Sequence, residues 1–183
     1  VKYFSAPDIT GWQGLRAYEK DKFLICGTAG DNGILNIGPI TYDPTKNYIV
    51  RYPRTYSTSV YGPDVVKKGL FRLVGSYRLE ATDGVYGFLF QGGTKDLENP
   101  RNYSTVVTGG KFTYVHSTMG GYAVGGFDNP EEYGDFDLPL GPINAFLYNV
   151  CTKKFINIKY PGSVSNTAYG IWNNGNGKYT ICG

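Results

Sequence analysis

One string of residues occurs four times along this chain. Val50–Gly75 and Ile158–Gly183 align without a gap at an offset of 108 residues. A third copy opens the chain and ends at Gly27, and a looser fourth copy ends at Gly125. The four terminal glycines are 48, 50 and 58 residues apart. A period of about 40 to 50 residues is typical of propeller blades when the repeat is built from short strands.

The repeats have the composition of strands rather than helices. The chain has 17 Tyr and 26 Gly, and only 18% of its residues are charged, which favours half-buried strands joined by tight turns. Lys154–Tyr160 alternates polar and apolar residues, as a strand with one buried face does. Each repeat therefore predicts four short strands, which we name by their sequences: xKYP, TAYGI, KYTICG and GFLY. Ile37–Tyr42 is interpreted as a weak counterpart of the GFLY strand.

The predicted fold class is all-β, a β-propeller-like array of about four antiparallel sheets in which the last is incomplete. A lone four-stranded sheet cannot cover both of its faces, so the copies must pack on one another. A β-sandwich or prism is the alternative. We expect one domain of repeats, at about 1–49, 50–105, 106–157 and 158–183. Because the last repeat lacks a GFLY strand, we expect a fragment of a longer protein, or an N-terminal strand that partly completes the last blade.

Charge and cysteine usage remove several classes of function. The formal net charge is +3 and no run of Lys or Arg exceeds two residues, so the basic stripe of a nucleic-acid-binding protein is absent from the sequence. No apolar run approaches the roughly 18 residues of a membrane span. The three cysteines, Cys26, Cys151 and Cys182, cannot all pair within the chain. Cys26 and Cys182 share a repeat position with valines, which predicts small buried side chains.

The sequence predicts no catalytic residue, metal site or cofactor. His116 is the only histidine, no GxSxG motif occurs, and the cysteines lack the spacing of a zinc site. We interpret His116 as a half-exposed residue of a strand or turn. Clustered carboxylates at 129–137 are typical of a solvated loop. If the protein were a glycan hydrolase, its acid and base would be two of the carboxylates Asp64, Glu131, Glu132, Asp135 and Asp137.

Positions that differ between repeats are the candidates for ligand binding. The shared Tyr-Gly pairs at Tyr61 and Tyr169 are interpreted as architectural, and we expect these two tyrosines to have similar surroundings. Two residues after the glycine of this pair, three repeats carry basic, acidic and aromatic side chains that could converge near a ring axis. A tryptophan also precedes the first of these glycines by two residues. The predicted ligand-binding residues are Trp12, Arg16, Asp64 and Trp172. In the alternative interpretation, both tryptophans fill gaps between blades.

The strings AFLYNVCTKKFINIKYPGSVSNTAYGIWNNG and GVYGFLFQGG resemble the HAF-type probable extracellular repeat family. Units of that family have a G-F-L-Y strand, then F-x-x-I-x-Y-P-G, then T-x-A-Y-G-I-x-x-N-G. The resemblance is good over Ala145–Gly183 and fair over Val50–Gly93. It implies a secreted or surface-attached bacterial protein, and it carries over no reaction or catalytic residue.

Three functions are therefore expected in this order. The first is a secreted or cell-surface, non-enzymatic binding or adhesion module whose partner is carbohydrate or a surface protein. The second is the glycan hydrolase described above. The third is a structural repeat of a surface layer or filament, in which the incomplete last blade self-associates by taking a strand from a neighbour.

Overall fold

Fourteen strands in four antiparallel sheets form the part of the chain that the structure, a computed structural model, describes: residues 11–80, 82, 84–128 and 142–183. The first sheet contains β1 (Gly11–Glu19), β2 (Lys22–Ala29), β3 (Asn32–Gly38) and β4 (Asn47–Val50). The second contains β5 (Ser57–Lys67), β6 (Leu70–Arg78), β7 (Tyr86–Gly92) and β8 (Tyr103–Val106). Short 3-10 helices at Pro44–Lys46, Thr94–Asp96 and Pro100–Asn102 precede the last strands of these two sheets.

The third sheet repeats this four-stranded pattern, whereas the fourth sheet contains two described strands. The third contains β9 (Thr113–Met119), β10 (Tyr122–Asp128), β11 (Ile143–Asn149) and β12 (Phe155–Ile158). The fourth contains β13 (Gly170–Gly175) and β14 (Lys178–Cys182). Strands of each sheet pair in chain order. The predicted array of four antiparallel sheets with an incomplete last sheet is confirmed.

The sheets pack on one another in chain order. The first strands of the sheets, β1, β5, β9 and β13, are here called the inner strands. β5 packs against both β1 and β9, and β9 packs against β13. In the described residues no strand pairing joins the fourth sheet to the first, so the array is not closed by hydrogen bonds between strands.

The structure corrects the assignment of two repeat elements. The xKYP motifs begin at the last residues of β4 and β12, Val50 and Ile158, so they follow the outermost strands of the first and third sheets and do not begin the next sheet. The GFLY counterpart in the first sheet is β3, so the assignment to Ile37–Tyr42 is wrong. Ile34 of β3 pairs with Gly27 as Phe88 of β7 pairs with Gly75. Pairing in this register buries the apolar Ile34 and Leu35, which a shift by one residue would turn to the opposite faces.

The terminal glycines of the repeats are required by a close approach of backbone. A Cβ atom on Gly75 would collide with the carbonyl oxygen of Ser59, and one on Gly125 would collide with that of Tyr114. The cause is a β-bulge, an extra residue in each inner strand that presses its backbone onto the neighbouring strand. This contact explains why the same position is glycine in all four copies.

Each junction between adjacent sheets has its own apolar core. Leu35, Val60 and Phe88 are buried where the first and second sheets meet, and Val74, Val115 and Phe146 where the second and third meet. The core between the third and fourth sheets is smaller. Its buried members are Val124, Ala145, Ala168 and Ile171.

The cysteine prediction is confirmed at one position and wrong at another. Cys26 on β2 is completely buried between two strands and against the second sheet, as predicted. Cys182 is exposed, because β14 has a single strand neighbour among the described residues. All three cysteines are free thiols in this structure.

Candidate functional site

The bulges place one residue of each inner strand at an equivalent position. The extra residue of the bulge is Gln13 in β1, Tyr61 in β5 and His116 in β9. Each is skipped in the pairing of its inner strand with the next strand of the sheet. Tyr169 holds the same position in the fourth sheet, since Gly170 pairs with Cys182 and Gly183 lies against Ala168. Because the inner strands pack side by side, the side chains from successive sheets become neighbours.

Three of these equivalent side chains form a continuous row of rings. The His116 ring lies 5.5 Å from the Tyr61 ring and 4.7 Å from the Tyr169 ring, measured between centroids. Tyr114, two residues before His116, is nearly parallel to it at 6.1 Å. Tyr61 and Tyr169 therefore occupy equivalent positions and both pack on His116, as the repeat predicts. Their surroundings differ in part, because Tyr61 is half-buried and hydrogen-bonded to Ser76 whereas Tyr169 is largely exposed.

The row borders an open cleft between the third sheet and the start of the fourth, with a cavity volume of 230 Å³. Tyr114, His116 and Tyr169 form one part of its lining. Tyr169 is 61% exposed, so its ring is accessible to a ligand. The other lining residues are Phe112, Gly126, Phe127, Asp128, Ile143 and Thr167. We call this site the aromatic cleft.

Two polar groups of the aromatic cleft are available for hydrogen bonding. Burial lowers the pKa of His116 to about 4, so the imidazole is neutral at neutral pH and offers one donor and one acceptor nitrogen. The Thr167 hydroxyl oxygen is buried and has no hydrogen-bond partner in the described structure. The cleft thus combines accessible ring faces with a few polar atoms, which is the composition of a small-ligand site.

The predicted ligand-binding position lies at the opposite end of the inner strands. Arg16, Asp64 and Trp172 occupy it, and the third sheet contributes Met119, which pairs with Tyr122 as Asp64 pairs with Arg72. The structure brings Arg16 into contact with Trp172 and places Asp64 near enough to Arg16 for a charge interaction. The Arg16 guanidinium carbon lies 5.4 Å from the centre of the Trp172 ring, and Trp172 is 56% exposed.

Arg16 and Asp64 are occupied by contacts within the protein. Arg16 Nε donates to the carbonyl of Pro63 at 3.2 Å, and its Nη2 donates to that of Thr118 at 3.4 Å. Asp64 is buried, lies 3.5 Å from Nη1 of Arg72, and accepts the backbone N–H of Gly120 at 3.0 Å. Desolvation raises the pKa of the Asp64 carboxyl above its ordinary value despite these partners. A role for this position in ligand binding stays a prediction.

Trp12 lies apart from the other three predicted residues. Its ring meets Tyr42, which lies in the connection between β3 and β4, edge-on at 5.1 Å. Both residues line a shallow 330 Å³ depression together with Leu15, Ile25 and Ile40. Trp12 therefore does not contribute to one site with Arg16, Asp64 and Trp172.

The described residues contain no candidate metal site, no helix that could span a membrane and, of the predicted acid and base carboxylates, only Asp64. The carboxylates Glu131, Glu132, Asp135 and Asp137 lie outside the described residues. In residues 11–80, 82, 84–128 and 142–183, no group of three metal-ligating side chains forms a candidate metal site. Across the same ranges, no helix has the length and apolar character needed to cross a membrane.

The aromatic cleft was missed by sequence reasoning for an identifiable reason. In the sequence, the match between Tyr61 and Tyr169 indicates an architectural role, and His116 has no obvious counterpart in the other copies. Aligning the copies through the bulge, rather than through the Tyr-Gly pair, would have shown Gln13, Tyr61, His116 and Tyr169 at one position.

No protein-family model matches the chain, and no curated protein is significantly similar to it in sequence.

Proposed function

We propose that this protein is a non-enzymatic binding module, secreted or displayed at the cell surface, and that it binds carbohydrate in the aromatic cleft. The observation that carries the proposal is the arrangement of Tyr114, His116 and Tyr169 from two sheets around one open cavity. The resemblance of Ala145–Gly183 to extracellular repeats supports the location outside the cell.

The chemistry of the aromatic cleft suits a sugar. A pyranose ring has an apolar face of C–H groups, which packs on aromatic rings, and a rim of hydroxyls, which needs a few placed polar atoms. The neutral His116 nitrogens and the Thr167 hydroxyl supply such atoms. Pockets that bind drug-sized ligands have volumes of about 300–1,000 Å³. The 230 Å³ cavity is smaller, which favours one sugar unit or the end of a chain.

Charge argues against an ionic ligand in this cleft. Among its described lining residues, Asp128 is the only formally charged side chain, and no Lys or Arg contributes. The Asp128 carboxylate accepts the backbone N–H of Phe112 at 2.6 Å, so it is held by the protein. An uncharged polar ligand with an apolar face fits this lining better than a phosphate or a carboxylate does.

The hydrolase alternative has less support. A glycosidase needs two carboxylates about 5–10 Å apart that face one substrate. Asp64, the described member of the predicted set, is buried and faces Arg72 and the Gly120 amide. It also lies at the opposite end of the inner strands from the aromatic cleft. Binding without hydrolysis is therefore the function we propose.

The proposal is tested by screening the labelled protein on a glycan array and measuring each hit by titration calorimetry. We expect Tyr169→Ala and His116→Ala to weaken binding at least tenfold, because each removes part of the sugar platform. Tyr56→Ala is the matched control, since Tyr56 is 56% exposed and lies outside the cleft. Circular dichroism melts verify that each variant is folded.

The same experiment separates the two candidate sites. Loss of binding in Trp172→Ala but not in Tyr169→Ala would overturn the cleft assignment and place the ligand at the position predicted from the sequence. A blank array would overturn the carbohydrate proposal itself. Release of reducing sugar from a bound glycan would overturn the non-enzymatic assignment.

A further inference from the structure

The row of rings continues past the aromatic cleft. Tyr61 does not line the cleft, but its ring centroid lies 5.5 Å from that of His116 and 6.4 Å from that of Tyr114, which both do. Tyr61 belongs to β5 in the second sheet, whereas Tyr114 and His116 belong to β9 in the third. A ligand seated in the cleft therefore has one more ring beside it, on the side of the second sheet.

Tyr61 lies on an accessible side of the inner strands. Val60 and Val115 are completely buried, and each belongs to the core of a sheet junction or packs against it. The residues on either side of each valine are only half-buried; they are Ser59 and Tyr61 in β5, and Tyr114 and His116 in β9. Because successive side chains of a strand point to opposite faces, these four lie on the other side of the strands from the valines. Part of the Tyr61 ring is thus open to a ligand.

The junction beside Tyr61 is built like the junction that holds the cleft. Between the second and third sheets, the N–H of Thr113 donates to the carbonyl of Val85 at 2.7 Å. Between the third sheet and the segment that leads into the fourth, the N–H of Asn166 donates to the carbonyl of Ile143 at 2.8 Å. Each acceptor lies three residues before the buried phenylalanine that pairs with the repeat glycine. The space beside Tyr61 is therefore the counterpart, one sheet earlier, of the aromatic cleft.

The side chains of this counterpart are more polar and leave less depth. Tyr114 stands where the cleft has Thr167, since each directly follows the residue whose N–H joins the two sheets. A tyrosine takes more room than a threonine, which leaves a shallower place for a ligand. Ser59 and Ser76 form a cross-strand pair here, and the Tyr61 hydroxyl is hydrogen-bonded to Ser76 at 2.8 Å and also to Ser59. The counterpart thus offers part of one ring together with hydroxyl groups.

We propose that the aromatic cleft is the first of two adjoining subsites, and that Tyr61 and Ser59 form the second. The inference rests on the proposed function, and it specifies the class of ligand: an uncharged oligosaccharide of at least two units. The end unit of the chain enters the cleft, whose 230 Å³ suits a single sugar. The next unit packs on the Tyr61 ring and hydrogen-bonds to Ser59. Adjacent pyranose units are joined through one oxygen, so their centres are about as far apart as neighbouring rings of this row.

The dependence of binding on chain length tests the proposal. The methyl glycosides of glucose, N-acetylglucosamine, galactose and mannose are compared with cellobiose, diacetylchitobiose, lactose and mannobiose, whose outer units are the same sugars. Binding is followed by NMR titration, which measures weak affinities. We expect a disaccharide to bind about tenfold more tightly than its monosaccharide in at least one pair, because the second subsite adds a ring contact and a hydrogen bond.

Variants of Tyr61 and Tyr169 separate the two subsites. Tyr61→Leu should abolish the gain from the second unit and leave the monosaccharide affinity unchanged, because leucine keeps the apolar volume but lacks the flat ring. Tyr61→Phe keeps the ring and should keep most of the gain. Tyr169→Ala should weaken the monosaccharide and the disaccharide by the same factor, because it removes part of the first subsite. Circular dichroism melts verify that each variant is folded.

The outcomes distinguish the second subsite from carbohydrate binding itself. Equal affinities within every pair, or a gain that survives in Tyr61→Leu, overturn the second subsite and leave the cleft assignment intact. Equal weakening of the monosaccharide and the disaccharide in Tyr61→Leu also overturns it, since Tyr61 would then act only by positioning His116. Failure of every one of these sugars to bind overturns the inference as well. A blank glycan array would then show that the proposed function has failed too, whereas array hits would show that only the two-subsite assignment has.

Discussion

Arg16 of the first sheet lies over the ring of Trp172 in the fourth, with its guanidinium carbon 5.4 Å from the ring centre. The same guanidinium donates from Nε to the carbonyl of Pro63 in the second sheet and from Nη2 to the carbonyl of Thr118 in the third. One side chain thus contacts all three other sheets. It joins the first sheet to the fourth even though no described strand pairing does so.

Replacing Arg16 should loosen the array as a whole. We expect Arg16→Ala to reduce the free energy of unfolding by about 2 kcal/mol, because it removes two charged hydrogen bonds and a cation–π contact. Arg16→Lys should recover only part of the lost stability. The lysine keeps the positive charge, but its ammonium cannot reach both carbonyls at once. Urea unfolding measures the change, with the exposed Arg101→Ala as the control. Equal stability of Arg16→Ala and Arg101→Ala would contradict this role.

The buried ion pair between Asp64 and Arg72 should be costly to break from one side. Asp64→Ala leaves Arg72, which is 6% exposed, without its carboxylate partner, so we expect a loss of about 3–5 kcal/mol. The double variant Asp64→Ala/Arg72→Met should be more stable than Asp64→Ala alone, because no unpaired charge remains buried. A double-mutant cycle by urea unfolding measures the coupling. Additive losses would show that the pair does not interact.

His116 should titrate far below an ordinary histidine. It is the only histidine in the chain, so one imidazole resonance in the proton NMR spectrum reports its pKa. We expect about 4 in the folded protein, and a value near 6.5 in urea. A folded-state pKa near 6.5 would show that the ring is solvated and that burial does not perturb it.

The lowered pKa also sets a pH dependence of stability. Below pH 6.5 the unfolded chain binds a proton at His116 that the folded protein does not bind. The contribution of neutral His116 to the free energy of unfolding is therefore fully present above pH 6.5 and is lost as the pH falls toward 4. With a discount for partial exposure, the loss is about 2 kcal/mol. Unfolding at a series of pH values should show this slope in the wild type and a shallower one in His116→Gln.

The repeat glycines should not tolerate alanine. In Gly125→Ala, the new methyl group would meet the Tyr114 carbonyl and lie 2.9 Å from the Phe146 ring. We expect a loss of about 4 kcal/mol, measured by thermal and urea unfolding. The control is Gly11→Ala, where the nearest described atom to an added Cβ is 4.0 Å away. A Gly125→Ala protein as stable as Gly11→Ala would refute the backbone-contact explanation of the repeat.

The sequence predicted the sheets better than it predicted their edges. Segments that alternate polar and apolar residues, and a glycine that recurs once in each repeat, indicated the four sheets. Strand pairing is decided by contacts with distant residues, which is why Ile37–Tyr42 was assigned to the wrong element and β4 and β12 to the wrong sheet. Cys182 looked buried because Cys26 and Val74 are buried at its position. Its burial depends on a third strand that the described fourth sheet does not contain.

Of the four predicted ligand-binding residues, Arg16 contacts Trp172 and interacts with the charge of Asp64, whereas Trp12 lies apart. Repeat alignment predicted this convergence, because equivalent positions on packed inner strands are neighbours. It did not predict that Arg16 and Asp64 would be engaged by carbonyls, an amide and Arg72. Those partners come from the second and third sheets, and only the packing of the sheets brings them into reach.

The amino-acid sequence by itself determined the repeating sheets, because strand alternation and the glycine at each bulge act through local geometry and immediate neighbours. Only the tertiary structure decided the row of Tyr61, His116 and Tyr169 and the cleft beside it. These features depend on distances between residues of different sheets, and such distances are fixed when the sheets pack against one another.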